Sequence, residues 1–311
     1  MKNSQTSLLW QQNSQMRSKV FSIHQFTPSI ADGDGVSGGV LWTADILRGF
    51  GFNSLVYANH IDPKLKDKVL HIDSFVSPPD NVLIYHHSIG HEHHEQILAF
   101  ADKKILCYHN ITPSHFFKNS PHLQQACDLG RKQLASSTKA FVASYADSEY
   151  NSKELRALGY PNPKPIPLLV DITKKNLIRP NETIIKNYSQ TFTILFVGRI
   201  VSNKSQEMLI ETIYYLKKLL SLKLKLILVG STSEQAYFDY LKKLVVSLKL
   251  EDSVLFAGKV SQEDLAAYYS AADIYLSLSD HEGFSIPIIE ALSYDTLTIA
   301  YSTCALPDTL G

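Results

Sequence analysis

The chain has 311 residues and a formal charge of zero, from 30 Lys and Arg and 30 Asp and Glu side chains. This length is enough for two domains of ordinary size, and the balanced charge gives the chain as a whole no attraction to nucleic acid or anionic lipid. Three scattered cysteines are too few for a disulfide framework or a zinc cluster, and no apolar run is long enough to cross a bilayer.

The first 18 residues are rich in Gln, Asn and Ser and lack the apolar core of a signal peptide. We therefore expect residues 1–18 to be a disordered lead-in. Together with the cysteine usage, this predicts a cytoplasmic protein.

Strands and helices alternate along the first half of the chain, which is typical of a parallel sheet covered by helices. The predicted strands are Lys19–Phe26, Ser54–Tyr57, Val82–Tyr85, Lys104–Tyr108 and Ala140–Ser144. The predicted helices between them are Gly39–Phe50, His94–Ala101, Leu123–Ser136 and Ser148–Leu158.

Prolines at positions 161, 163, 165 and 167 interrupt this alternation, and a polar stretch then runs from Thr173 to Gln190. We predict a first Rossmann-like domain at residues 19–172, a linker at 173–190 and a second Rossmann-like domain at 191–311. The predicted strands of the second domain are Thr193–Val197, Lys225–Val229, Val254–Phe256, Ile274–Leu278 and Thr296–Tyr301, with helices Ser205–Leu220, Glu234–Leu248, Gln262–Ser270 and one from Ile288. Two doubly wound parallel sheets of this kind face each other across a cleft.

The most informative stretch is residues 281–290, His-Glu-Gly-Phe-Ser-Ile-Pro-Ile-Ile-Glu, which lies between a predicted strand and a predicted helix. Ser285 is predicted to cap that helix, and Pro287 falls in its first turn, where the missing N–H costs nothing. A helix N-terminus at the carboxyl end of a strand favours phosphate binding. Glu282 and Glu290 flank this anion site, and because carboxylates repel phosphate we expect them to accept hydrogen bonds from sugar hydroxyls.

This pattern resembles the Glu-x7-Glu signature of retaining GT-B glycosyltransferases, in particular the GT4 family. The resemblance implies that Glu282 contacts the transferred sugar, that Glu290 holds the ribose hydroxyls of the nucleotide, and that Gly283, Phe284 and Ser285 line the donor site. The alternative is an ordinary strand, turn and helix with solvated carboxylates.

A second stretch, Phe196-Val-Gly-Arg-Ile-Val-Ser-Asn-Lys204, ends a strand and opens a helix. Gly198 permits a tight turn, and Arg199 and Lys204 place two cations where a diphosphate leaving group needs neutralisation. The stretch is similar to the family's Gly-Arg…Lys-Gly motif, although Ser205 stands where glycine is usual. The alternative is a pair of solvated surface cations.

Two further strand ends match the family. Gly230, in Val229-Gly-Ser231, corresponds to a glycine that faces the cleft. Lys259 and Val260 correspond to a turn whose backbone lies against the nucleobase. The identity of the base stays open.

In the first domain, Asp32-Gly-Asp-Gly-Val-Ser-Gly-Gly39 is predicted to be a loop between a strand and a helix. The resemblance implies that Gly38 and Gly39 line the donor phosphate and acceptor region. The same string satisfies the dinucleotide fingerprint Gly-x-Gly-x-x-Gly, which leaves an NAD-dependent oxidoreductase as an alternative. Two spacings argue against it: six residues separate Phe26 from Gly33, and the acidic partner would have to be Asp62, beyond the second strand.

His109 follows the predicted strand Lys104–Tyr108, in Tyr108-His-Asn-Ile-Thr-Pro113. The family carries a histidine here, close to the transferred hexose, and the run also resembles bacterial surface-polysaccharide glycosyltransferases. The alternative for His109 is a capping or core role.

The stretch from His86 to Glu95 contains five histidines and raises the question of a metal site. It does not fit His-Glu-x-x-His, because position 95 is Glu. We expect a loop at the mouth of the cleft, where one or two histidines meet the acceptor, and no bound metal. Zinc is the alternative.

The resemblance implies a retaining, metal-independent glycosyltransferase without a cofactor, which moves a hexose from a nucleotide-diphosphate sugar to a glycan or lipid-linked acceptor in surface polysaccharide biosynthesis. It implies no nucleic-acid partner and at most a peripheral association with the inner face of the membrane. A non-catalytic nucleotide-sugar-binding protein is a further alternative. Because the family continues past the segment Leu306–Gly311 with more strands and a helix, we also expect a truncated sequence.

Overall fold

The computed structural model describes residues 21–118, 120–173, 177–232 and 234–311. The predicted lead-in at residues 1–18 and the start of the first predicted strand lie outside the described residues. The described strands form two parallel sheets, one from residues 23–165 and one from residues 192–300, on either side of the predicted linker.

The first sheet has seven strands in the order β3-β2-β1-β4-β5-β6-β7, and all its pairings are parallel. Its strands are β1 Ile23–Ile30, β2 Val56–Ile61, β3 Val69–His71, β4 Val82–His87, β5 Lys103–Tyr108, β6 Ala143–Ala146 and β7 Lys164–Pro165. Its helices are α1 Gly35–Gly49, α2 His94–Leu98, α3 Pro121–Ser136 and α4 Glu149–Leu158. The central strands are apolar because helices cover both faces of a parallel sheet.

The second sheet has five strands in the order β10-β9-β8-β11-β12 and is also parallel. Its strands are β8 Phe192–Val197, β9 Leu224–Val229, β10 Val254–Gly258, β11 Ile274–Ser277 and β12 Leu297–Ala300. Its helices are α5 Glu182–Tyr188, α6 Gln206–Leu219, α7 Gln235–Ser247, α8 Gln262–Ala271, α9 Ile286–Ser293 and α10 Leu306–Leu310. Together the two sheets confirm the predicted α/β class with doubly wound parallel sheets.

The predicted linker contains helix α5, which packs on helix α8. Asn181 caps α5 with its side-chain oxygen and also donates from its Nδ2 to Asp264 Oδ1 at 2.7 Å. The backbone N–H of Asn181 donates to the carbonyl of Glu263 at 3.1 Å. This part of the chain is therefore attached to the second sheet.

Two elements of the first half differ from their prediction. Strand β1 runs to Ile30 rather than to Phe26, because Pro28 lies between the paired residues Thr27 and Ser29 and its missing N–H interrupts no pairing to β2. Helix α1 begins at Gly35 rather than at about Gly39, because Asp34 caps it by accepting a hydrogen bond from the N–H of Ser37 at 3.0 Å. The Gly-rich segment is thus mostly helix, and the prediction of a loop through Gly39 is wrong.

The histidine-rich stretch lies in the core, and the prediction of a loop at the cleft mouth is wrong for its buried members. The side chains of His87, His91 and His94 surround the hydroxyl of Tyr85, at 3.1, 2.7 and 2.8 Å. His87 Nε2 lies 3.0 Å from the carbonyl oxygen of Gly130 and must donate to it. Its bare Nδ1 therefore accepts from Tyr85, and the other two rings donate to the tyrosine oxygen.

This hydrogen-bonded cluster is a poor fit to zinc. The ligand atoms of the three histidines lie within 4.8 Å of one another, but Tyr85 occupies the space between them. Zinc–nitrogen bonds of about 2.0–2.1 Å would require that hydroxyl to move. The expectation that no metal binds here stays a prediction.

Burial lowers the pKa of His87 to about 4 and that of His91 to about 3. Repulsion from the neighbouring histidines lowers the pKa of His91 further. Both rings are therefore neutral in the folded protein, while the unfolded chain takes up protons once the pH falls below about 6.5. Protonation then favours the unfolded state, so stability is lost as the pH falls from 6.5 towards 4.

We expect His91→Gln to reduce the loss of stability between pH 7 and pH 5 by about 1–2 kcal/mol, since one low-pKa histidine is removed. Urea unfolding at the two pH values measures the free energy of unfolding in each case. The control is His122→Gln, at an exposed position of α3, which should keep the parent's difference. A His91 variant with the parent's full acid sensitivity would contradict this account.

Among the described residues, no helix combines the length and the apolar character that crossing a membrane requires.

Candidate functional site

The predicted site residues of the second sheet follow strands β8 and β11, which are neighbours. The chain runs from β8 outwards to β9 and β10, and then returns to the other side of β8 as β11. Ligands of open α/β sheets bind at such a reversal of strand order, outside the carboxyl ends of the strands. The fold therefore brings residues 198–205 and 278–285 together at the expected place for a ligand.

Backbone and side-chain hydrogen bonds join these two loops. The N–H of Asp280 donates to the carbonyl of Asn203 at 3.0 Å, and Asn203 Nδ2 donates to the carbonyl of His281 at 3.1 Å. Ser205 takes the left-handed conformation, with φ 50°, which explains the glycine at this position in the family motif. Its hydroxyl donates to Asp280 Oδ2 at 2.7 Å, which helps to offset the strain of a non-glycine residue there.

Lys204 and Glu282 contact each other directly. Lys204 Nζ lies 2.5 Å from Glu282 Oε2, and the two side chains are only 16% and 10% exposed. Arg199, the second predicted phosphate ligand, is exposed at the turn after β8. The cation assigned to the diphosphate and the carboxylate assigned to the sugar thus form one ion pair in this structure.

The start of helix α9 differs from its prediction in one respect. Ser285 is the N-cap residue and Pro287 lies in the first turn, as predicted, but the Ser285 side chain makes no capping hydrogen bond and its φ is 77°. The predicted side-chain cap is therefore wrong, because a left-handed backbone turns the hydroxyl away from the first turn. The side chain instead faces the hydroxyl of Tyr275. Phe284, the residue before, is half-buried.

Glu290 lies one turn further along α9 and is buried, with 6% of its surface exposed. Its Oε2 accepts a hydrogen bond from the hydroxyl of Tyr269 at 2.8 Å, and the ring of Tyr269 stacks on Tyr294 with 5.4 Å between centroids. Burial and the charge of Glu290 raise the pKa of Tyr269 well above its ordinary value, so the phenol stays protonated and donates. A small cavity beside Glu290 is lined by Ile178, Gln262, Leu265, Ala266, Tyr269 and Tyr294.

The glycines at the ends of β8 and β9 pack against each other. Gly230 has φ 150°, and a Cβ on it would lie 1.9 Å from the carbonyl oxygen of Gly198. The N–H of Gly230 donates to the carbonyl of Gly258 at 2.9 Å. Gly198 and Gly230 therefore have a packing reason to be glycine, and their contact with a donor stays a prediction, as does that of half-buried Val260.

Helix α1 of the first sheet meets helix α9 of the second. A Cβ on Gly35 would lie 2.5 Å from Cδ1 of Ile286, so the two helix starts touch. Gly38 is exposed on α1, whereas Gly39 is buried and faces Leu168. The sequence motif points to Gly38 and Gly39 but not to Gly35, a glycine that contacts the opposite domain.

His109 lies directly after β5, as predicted, but its ring points into the first sheet. The side chain is 1% exposed; Nδ1 lies 2.8 Å from Asp147 Oδ2 and Nε2 lies 2.8 Å from His86 Nδ1. A contact between this ring and a sugar stays a prediction, and it would require the ring to leave these partners.

Hydrogen-bond direction gives the charge of His109. Gln25 Nε2 donates to the carbonyl of Val40, so Gln25 Oε1 must accept from His86 Nε2 at 2.9 Å. His86, whose pKa burial lowers well below its ordinary value, is neutral, and its Nδ1 must accept from His109 Nε2. His109 therefore donates from both nitrogens and is an imidazolium. Burial alone would lower the pKa of His109, but the negative charge of Asp147 raises it well above its ordinary value.

Residues 179–311 match the family described as glycosyl transferases group 1. Over 110 residues the chain is 36% identical to mannosylfructose-phosphate synthase of Agrobacterium fabrum (34% of this chain, 24% of that protein). It is also 33% identical, over a match of 110 residues, to alpha-monoglucosyldiacylglycerol synthase of Streptococcus pneumoniae (35% of this chain, 24% of that protein). The matches thus span about a quarter of the length of these relatives.

The fold of the whole described chain is similar to that of HepE of Anabaena, solved with UDP and glucose. The TM-score is 0.67 at 17% identity, over 92% of this chain and 82% of HepE. At this identity the likeness speaks for the fold, which is GT-B. Residues 179–311 thus match the group 1 glycosyl transferases, and the described chain has the GT-B fold.

Proposed function

We propose that the protein is a retaining, metal-independent glycosyltransferase that moves a hexose from a nucleotide-diphosphate sugar to a glycan or lipid-linked acceptor. The observation that carries the proposal is the pairing of Lys204 with Glu282 where the strand order of the second sheet reverses. The family match over residues 179–311 supports glycosyl transfer, and the solved relative HepE holds UDP and glucose. The role in surface polysaccharide biosynthesis rests on the resemblance around His109.

The donor would lie on the second sheet. Arg199, Lys204 and the start of helix α9 would neutralise the diphosphate, and Glu290 would hold the ribose. When the diphosphate draws Lys204 towards itself, Glu282 loses its partner and becomes available to the hydroxyls of the sugar. The ion pair thus keeps both groups in place until the donor arrives.

The chemistry would depend on the leaving group. Negative charge develops on the departing diphosphate, and fixed cations and a helix N-terminus stabilise that charge most where water is excluded. The acceptor hydroxyl would enter from the first sheet, near Gly39 and His109, and attack on the face from which the diphosphate departs. The leaving phosphate would take the acceptor proton, and the sugar would keep its anomeric configuration.

The bounds of strands β1 and β2 remove the two spacing arguments against the NAD-dependent alternative. Since β1 ends at Ile30, Gly33 follows the strand after only two residues, and Asp62 comes directly after β2, so both spacing arguments are wrong. Asp62, however, accepts hydrogen bonds from the N–H groups of Asp32 and Lys64, which engages its carboxylate within the first domain. The family match favours glycosyl transfer.

A non-catalytic nucleotide-sugar-binding protein would bind the donor without turnover.

The proposal places the protein in the cytoplasm, with at most a peripheral contact with the inner face of the membrane. It requires no cofactor and no nucleic-acid partner. Thermal-shift measurements against UDP-, GDP- and ADP-sugars would identify the nucleotide and the sugar.

Alanine variants of Glu290 and Glu282 should affect nucleotide binding and turnover differently. Glu290→Ala should weaken binding of the bare nucleoside diphosphate about tenfold to a hundredfold, because a hydrogen bond to a charged group is worth about 1.5–3 kcal/mol. Glu282→Ala should lower turnover and leave nucleotide affinity nearly unchanged. Calorimetry and initial rates measure the two effects. The exposed residue Glu251 supplies the control, Glu251→Ala, and an equal loss of affinity in both site variants would refute the assigned roles.

Activity should survive EDTA, because Arg199 and Lys204 take the place of a metal. Arg199→Ala should lower turnover by about 10²–10³, the range for loss of one preorganised charge stabiliser. Arg199 is exposed, so the melting temperature should not change. Lys204→Met should have a similar kinetic effect but also lower the melting temperature, since Glu282 is left buried without its partner. Loss of activity in EDTA with rescue by Mn²⁺ would show that a metal holds the diphosphate.

A further inference from the structure

A chain of side-chain amides crosses the cleft on both sides of Glu282. His281 Nε2 lies 2.8 Å from Asn110 Oδ1, and Asn110 Nδ2 donates to Asn151 Oδ1 at 2.8 Å. Asn151 Nδ2 in turn donates to the carbonyl of Gly283 at 2.9 Å. Two residues of the first domain thus bind the residues immediately before and after Glu282.

Burial makes these hydrogen bonds costly to break. Asn110 is 7% exposed, His281 5% and Asn151 0%. Amides that have lost contact with water are costly to leave unpaired, so the network favours one arrangement of the loop. Asn151 is itself held in the first turn of α4, where its N–H donates to Ser148 Oγ at 3.2 Å.

The strand end that carries Asn110 is also fixed. Asn110 has φ 68° and comes directly after His109, whose buried ring is paired with Asp147. The left-handed conformation is one that Asn tolerates better than most residues, and it turns the amide towards the second domain.

Glycine at position 283 allows the two domains to come this close. A Cβ there would lie 2.8 Å from Asn110 Cβ and 2.8 Å from the carbonyl oxygen of His109. Any side chain would push the loop away from the first domain. The approach of the backbones and the amide chain therefore depend on each other.

We propose that Asn110 and Asn151 are positioning residues, which latch the segment His281–Gly283 across the cleft and so hold Glu282 against the transferred sugar. The inference rests on the proposed role of Glu282. Among the described residues, the hydrogen bonds of these two amides go to each other, to His281 and to Gly283, and not to the side chains assigned to the diphosphate and the ribose. The latch should therefore act on turnover and not on nucleotide affinity.

Asn110→Gly and Asn151→Leu test the latch in the full chain. Glycine accepts the φ of 68° at position 110, and leucine has the branched shape of asparagine with methyl groups in place of the amide oxygen and nitrogen. Each variant should lower kcat about tenfold to a hundredfold, the effect of a small misplacement at a reacting centre. The dissociation constants of UDP and GDP, measured by calorimetry, should stay within about twofold of the parent values.

Two matched variants separate positioning from folding. Ser152→Ala changes the next residue of α4, which is fully buried and whose hydroxyl has no hydrogen-bond partner among the described residues, so kcat should not change. Asn151→Gln keeps the amide and should recover part of the lost turnover. Normal kcat in Asn110→Gly and Asn151→Leu, or an equal loss of nucleotide affinity, would overturn the latch.

The titration of His281 gives a readout that does not depend on transfer. Burial lowers the pKa of His281 to about 4, against the opposing charge of Glu282. In Asn110→Gly the loop should open to water and the pKa should rise towards 6.5, measured by NMR of the imidazole Cε1–H. An unchanged titration would overturn the latch, whereas failure of the parent chain to bind UDP, GDP or their sugars would overturn the proposed function.

Discussion

The cleft depends on the contact between Lys204 and Glu282. Both side chains are largely removed from water, and a buried charge without a partner costs several kcal/mol, so each requires the other. They come from loops more than 70 residues apart in sequence, which lie side by side only because β11 returns to the free edge of β8. Strand order therefore decides which charges can meet.

The first domain supplies a second constraint. The imidazolium of His109, the residue before Asn110, forms a buried pair with the carboxylate of Asp147. In the proposed mechanism the donor breaks the Lys204–Glu282 contact, which removes one of the interactions that hold the loop of Glu282. The amides of Asn110 and Asn151 hold that loop independently of Lys204, so the carboxylate can change partner while its backbone stays in place.

The sequence predicts the second sheet closely: β8 begins one residue before its predicted start and ends at Val197 as predicted. Compact apolar strands between clear breaks make such predictions reliable. Because proline usually interrupts a strand, Pro28 led to a predicted end of β1 that is too early. The local pattern of residue types does not show that Ser285 has a positive φ. The sequence predicts the site residues that belong to a motif of consecutive residues, such as 196–204 and 281–290. Asn151 and the carbonyl of Gly283 are 132 residues apart, and only the packed domains bring them together.

A crystal structure of the protein with a bound nucleoside diphosphate would test the proposed donor site most directly. We predict that the diphosphate lies between Arg199, Lys204 and the start of helix α9, with the ribose hydroxyls on Glu290. We also predict that Lys204 moves away from Glu282 while the amides of Asn110 and Asn151 keep their contacts. A nucleotide bound elsewhere, with the Lys204–Glu282 contact intact, would contradict the account.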